Sequence, residues 1–204
     1  MPERRSLKAL REAAQRCRGC DLYRYATQTV FGEGRARAAL MFVGEQPGER
    51  EDRFGHPFVG PAGKLLHDAM QSAGIDPRTI YVTNTVKHFK FIERGKKRIH
   101  QKPRTIEIQA CMPWLEAEIA QVKPELVVAL GATAAQALLG ASFRLTKHRG
   151  ELQRAELTDR VLATVHPSSI LRAPDAAARR RELSAFIADL KIAARSVASA
   201  TAAT

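Results

Sequence analysis

The stretch "GKKRIHQKPRT", Gly95 to Thr105, holds one histidine, His100, among Lys96, Lys97, Arg98 and Lys102. A histidine attacks an electrophile only through an unprotonated ring nitrogen, and fixed cations nearby oppose its protonation. The same cations attract phosphate, so this stretch joins a neutral imidazole to an anion-binding surface. The plainer alternative is a phosphate-contact loop with a solvated histidine. Two other stretches carry polar groups in unusual settings. "GEQPGEREDRFGHPFVGPAGKLL", Gly44 to Leu66, is dense in glycine and proline. It opens with Glu45 and Gln46, and it holds Phe58 in a loop, where a ring serves as a stacking plate or pins the loop to the body. "HPSS", His166 to Ser169, offers a ring N–H to a leaving group and the hydroxyls of Ser168 and Ser169 to a phosphate. A proline turn with an exposed histidine is the alternative there.

Cys17 and Cys20 have the spacing of a metal or cluster hairpin, and Cys111 is a third thiol. Such a site needs a fourth ligand, and His88 is the histidine best placed in sequence. A structural zinc, a redox dithiol and three buried free thiols are the competing explanations.

These residues need elements to bring them together. Four short apolar runs read as strands covered on both faces: Ala39 to Gly44, Ile80 to Asn84, Leu126 to Leu130 and Val161 to Val165. Helical spacing separates them, at Leu65 to Ala73, Leu115 to Ile119, Ala134 to Leu138 and Leu183 to Leu190, with Asp175 as the N-cap of the last helix. A first helix fits Leu7 to Arg16. The alternation predicts an α/β fold, a parallel four-stranded sheet between two helical layers. One domain over residues 1–194 is expected, with a frayed tail over 195–204. In such sheets the ligand lies beyond the carboxyl ends of the strands, where Glu45, Gln46 and His166 fall.

The composition points to the partner. The chain of 204 residues carries a net charge of +12, and between Lys87 and Arg104 eight Lys or Arg stand against one acid, Glu93. Arg179, Arg180 and Arg181 form a second knot. Local concentration of charge predicts docking to a polyanion, most often nucleic acid. No apolar run reaches the length of a membrane span, and the first residues lack the apolar core of a secretion signal. An odd cysteine count also argues against a disulfide framework. A cytoplasmic monomer without a membrane partner is expected.

The succession "GEQPGEREDRFGHPFVGPAGKLL", "YVTNTVKHFKF", "KRIHQKP", "CMPWLEAEI", "LGATAAQALLG" and "HPSSILR" resembles the uracil-DNA glycosylase superfamily. Within it the chain is similar to the iron–sulfur group called family 4, and to the UdgX-type branch of that group. Gln46 stands where typical family 4 members have alanine, as in UdgX. The resemblance implies an α/β/α sandwich and a four-iron, four-sulfur cluster on Cys17, Cys20, His88 and Cys111, with His88 in place of a cysteine. It implies a flipped uracil stacked on Phe58, read by Asn84 and hydrogen-bonded by His166 as it leaves. Glu45 would steady the sugar cation or orient His100, Gln46 would position base or sugar, and Arg98 and Ser168 would contact the DNA. The basic stretch ending in "KRIH" marks His100 as a nucleophile toward C1′. The expected activity is then uracil excision followed by a lasting covalent bond from His100 to the sugar. A multiple-turnover family 4 glycosylase and a non-catalytic iron–sulfur DNA-binding module are the alternatives.

Overall fold

The computed structural model describes Pro2 and residues 6–201. In chain order the elements are α1 (Leu7–Ala14), a 3-10 turn (Asp21–Arg24), β1 (Glu33–Gly34), β2 (Leu40–Gly44), α2 (Glu49–Phe54) and α3 (Pro61–Ser72). Then come β3 (Tyr81–Asn84), β4 (Phe91–Arg94), β5 (Lys97–His100), α4 (Thr105–Val122), β6 (Leu126–Leu130) and α5 (Ala132–Leu139). The chain closes with α6 (Leu145–His148), β7 (Leu152–Ala155), β8 (Thr158–Thr164), α7 (Pro167–Leu171) and α8 (Ala176–Thr201).

The main sheet has the order β1-β3-β2-β6-β8-β7. Its inner four strands are parallel and are the four expected from the apolar runs. Two antiparallel edges, β1 and β7, enlarge the expected four-stranded sheet to six. Alternate side chains of each inner strand serve opposite faces. Leu40 and Phe42 of β2, with Leu126, Val128 and Leu130 of β6, pack against α3, α7 and α8. Met41, Val43, Val127 and Ala129 pack against α4 and α5 on the other side. This is the three-layer α/β/α arrangement. Ala178 N donates to Asp175 Oδ1 at 2.7 Å, the expected cap of α8. That helix runs on through Thr201, and residues 202–204, the end of the expected tail, lie outside the described residues.

The basic stretch is not a loop. It forms a two-stranded hairpin of its own, β4 with β5, in which Phe91 faces His100, Glu93 faces Arg98 and Ile92 faces Ile99. His100 therefore ends a strand and shares one face of the hairpin with Phe91, Glu93 and Arg98. The glycine-rich stretch after β2 likewise conceals a helix, α2, which a left-handed Gly55 closes. Among the described residues no helix is long and apolar enough to cross a membrane.

A polar core joins the sheet to α4. Glu118 is wholly buried and accepts hydrogen bonds from Gly32 N at 3.0 Å, Tyr81 Oη at 2.9 Å and Thr83 Oγ1 at 3.0 Å. It also forms an ion pair with the buried Lys87, whose ammonium donates to the carbonyl of Asn84 at 2.6 Å. Removing one partner of such a pair leaves a charge with nothing to balance it. Glu118→Ala should therefore destabilise the fold by about 3–5 kcal/mol, read from the midpoint of chemical denaturation. A loss below 1 kcal/mol would show that the pair is not holding α4 to β3.

Candidate functional site

Beyond the carboxyl ends of β2, β3, β6 and β8 lies a cavity of about 780 Å³, lined in part by Glu45, Gln46, Phe58, Asn84, His100 and His166. A second cavity of about 820 Å³ sits at the opposite edge of the sheet, against Lys123, Glu125 and Asp159, and gathers none of these groups. The chemistry belongs to the first.

Phe58 and Asn84 reach the cavity because glycine makes room. A Cβ on Gly44 would lie 2.3 Å from Asn84 Oδ1 and 2.8 Å from the Phe58 ring. Phe58 itself has a left-handed backbone, φ 56°, a conformation that costs a non-glycine residue about 1 kcal/mol or more. Gly63 makes this possible, since a Cβ there would stand 1.7 Å from the Phe58 carbonyl oxygen. The Phe58 ring stacks with that of His166, with centroids 6.3 Å apart and planes 27° apart. A flat ligand slipped against Phe58 would meet the amide of Asn84, a side chain with both a donor and an acceptor.

His166 is held in one protonation state. Its Nδ1 accepts from Ser168 N at 3.1 Å and lies 2.8 Å from Ser168 Oγ. A backbone N–H only donates, so Nδ1 is bare and the ring proton sits on Nε2. Burial, then Arg172 and His100, push the pKa of His166 down to about 4. The ring is thus a neutral donor at physiological pH. Ser168, expected at the DNA backbone, lines the cavity and sets this tautomer.

His100 lies with its Nε2 3.4 Å from Glu45 Oε1, and the other carboxylate oxygen of Glu45 accepts from Thr133 Oγ1. The His100 pKa is lowered, as expected, but chiefly for another reason. The His100 side chain is 51% exposed; its partial burial comes first, Glu45 opposes it, and the cation that adds to it is Arg172 at the end of α7, not a lysine of the hairpin. Gln46 bonds to the hairpin. Its amide donates to Lys90 O at 3.2 Å and Gln101 O at 3.0 Å and accepts from Lys90 N at 3.1 Å. Both chain ends of the hairpin are pinned by this side chain, which also lines the cavity. Arg98 does not line the cavity. Its guanidinium donates to Asp52 at 2.7 Å, approaches Glu49 at 3.7 Å and stacks 4.8 Å from the centre of the Phe91 ring. Its charge is spent on holding the hairpin to α2. Arg172 and Lys102 stand at the cavity instead. The "HPSSILR" run signalled Arg172 only by its closeness to His166.

The Uracil DNA glycosylase superfamily profile matches residues 31–191. The chain belongs to the uracil DNA glycosylase superfamily. It is 33% identical to the type-4 uracil-DNA glycosylase of Pyrobaculum aerophilum over 82% of this chain and 86% of that protein. It is 36% identical to the type-4 enzyme of Thermotoga maritima over 81% and 83%, and 34% identical to that of Sulfurisphaera tokodaii over 83% and 78%. These relatives bear the type-4 name, and they do not distinguish the UdgX-type branch.

This superfamily member has a second group of possible ligand side chains outside the cavity lining. Cys17, Cys20 and Cys111 share an apolar lobe with Phe31, Val86 and Trp114. Trp114 Nε1 donates to Cys17 Sγ at 3.2 Å and Lys87 N to Cys111 Sγ at 3.3 Å. Burial pushes the Cys111 thiol up to about 11. His88 Nε2 lies 2.8 Å from Thr29 Oγ1, whose own proton goes to Ala14 O. The imidazole is then the donor, and its Nδ1 keeps a lone pair for a ligand. Among the described residues no three of these donors close on the position of a single ion. Soft sulfur donors, sulfur-directed N–H groups and a tautomer-fixed imidazole fit a group larger than one ion.

Gly44→Ala should lower base release from uracil-containing DNA by about a hundredfold, because it displaces Asn84 and Phe58 together. Release rates under single-turnover conditions, beside a melting curve to confirm the fold, would check this. An unaltered rate would mean that neither side chain touches the base.

Proposed function

We propose that the protein excises uracil from DNA. The observation that carries this is a cavity with a stacking ring, Phe58, an amide, Asn84, and a neutral Nε2–H donor, His166, around one site. Uracil presents an N–H beside a carbonyl oxygen, which an Asn amide matches as acceptor and donor. As the glycosidic bond breaks, electrons pass to the base and charge grows on its oxygen. His166 Nε2–H meets that charge, while the sugar becomes an oxocarbenium-like cation. Glu45 is the carboxylate placed to steady that cation. The type-4 names of the relatives support this activity.

Cys17, Cys20, Cys111 and His88 would hold a four-iron, four-sulfur cluster in the lobe behind the site. There it would serve a structural role, tying the α1–β1 segment to α4 and to the turn after β3. The excision step uses only the pocket residues.

Two fates are open to the sugar. Water attacks C1′ in an ordinary type-4 glycosylase and frees an abasic site, and the relatives' names favour this course. One observation favours capture by the protein: His100, with a lowered pKa, stands beside Glu45 at the same cavity. A neutral imidazole fixed there competes with water through proximity. Attack would form an N–C1′ bond, and loss of the other ring proton would leave a neutral alkylated imidazole.

A uracil oligomer and a thymine control test the activity. Free uracil from the first alone is expected, and His166→Ala should cut the rate by about 10²–10³. No release from either oligomer would refute the proposal. On a denaturing gel, His100→Ser should keep base release and lose any protein–DNA band. Abasic product in molar excess over wild-type protein would exclude capture. His88→Ala should lose visible absorption and bound iron, whereas full iron content would remove His88 from the ligand set.

A further inference from the structure

Six of the seven large apolar side chains exposed among the described residues stand on the rim segments or on segments bonded to them: Tyr25, Phe54, Val59, Ile92, Ile99 and Ile106. Tyr25 and Phe54 are the aromatic pair, 69% and 65% exposed. Their segments are tied together. Thr27 N donates to both oxygens of Asp52 at 2.9 and 3.1 Å, and Gln28 Nε2 donates to the carbonyls of Asp52 and Arg53 at 3.0 Å each. Arg98 of the hairpin reaches both, at Thr27 Oγ1 and Asp52 Oδ2. Tyr25 and Phe54 are therefore anchored to the same node as the strand that carries His100.

The distance from the cavity is short. Gly48 and Glu51 line it, and Phe54 lies one helical turn past Glu51, about 5 Å along α2. Cations stand nearby. The guanidinium groups of Arg18 and Arg24 lie over the Tyr23 ring, at 5.7 and 5.5 Å from its centroid, Arg24 also pairing with Asp21 at 3.1 Å. Exposed rings set among cations, continuous with a nucleotide-sized cavity, match the chemistry that binds single-stranded nucleic acid. There, bases stack on rings and phosphates meet Arg or Lys. Paired bases in a duplex have no free face to offer.

We propose that Tyr25 and Phe54 form a stacking platform for unpaired bases of the DNA strand that leaves the cavity. The proposal rests on the reading of that cavity as a site for a flipped uridine. The occupant is the single strand itself, and the platform adds affinity and a preference for unpaired flanks.

The test uses full-length protein and a uracil-free oligothymidylate, with a duplex of equal length as control, in fluorescence anisotropy at fixed salt. Tyr25→Ala with Phe54→Ala should weaken single-strand binding about tenfold and duplex binding by less than twofold. Tyr25→Phe with Phe54→Tyr should restore the single-strand affinity, because the rings are kept. Both side chains are exposed, so truncation spares the core, and a melting curve confirms it. Unchanged single-strand affinity, or an equal loss for the duplex, would overturn the platform. Uracil release by the wild-type protein is measured separately. Its absence would refute the excision reading, whereas release with unaltered binding by the alanine pair would refute the platform alone.

Discussion

Asp52 has no exposed surface, and a carboxylate so placed is costly unless donors surround it. Its two donors come from different parts of the chain. Thr27 N closes the cysteine segment onto it, Arg98 brings the hairpin, and its own helix α2 carries the rim of the cavity. The need to neutralise one buried acid thus forces the cysteine segment, the hairpin and the glycine-rich segment into fixed relation. Gln46 completes the restraint by holding Lys90 and Gln101 at the two chain ends of the hairpin. His100 owes its position to these two residues, neither of which has to touch DNA.

The same arrangement answers why a histidine meant to be neutral sits in so basic a stretch. Arg98, two residues before His100, is bound by Asp52 and Glu49. Lys96 and Lys97 are exposed and screened by water. Partial burial at the cavity and Arg172 favour the neutral imidazole, against the pull of Glu45. Arg172 acts likewise on His166, after burial. Two histidines thereby share one electrostatic setting: His166 presents a ring proton on Nε2, and His100 stands beside Glu45 at the same cavity.

The parallel strands were legible because burial on both faces demands unbroken apolar runs, as in "LVVAL". The edges were not. β1 has two residues, and β7, "LQRA", is mostly half-exposed or exposed. The hairpin was hidden by its charges: "FIER" and "KRIH" pair through backbone groups and pack only one face, so neither run looks apolar. The pocket residues were legible as types at strand ends and through the family resemblance. Their pairing was not. Composition counts cations but cannot tell that Arg98 is occupied while Arg172 faces the cavity. Nor does a Gln beside a Glu reveal that one amide staples a hairpin 44 residues away.

The cavity lowers the pKa of both histidines and holds the ring proton of His166 on Nε2. Nitrogen chemical shifts of ¹⁵N-histidine-labelled protein, followed through a pH titration, test this most directly. The account predicts that His166 shows the Nε2–H tautomer down to about pH 4 and that His100 titrates below its ordinary value. A proton on Nδ1 of His166, or a His100 midpoint at or above about 6.5, would contradict it.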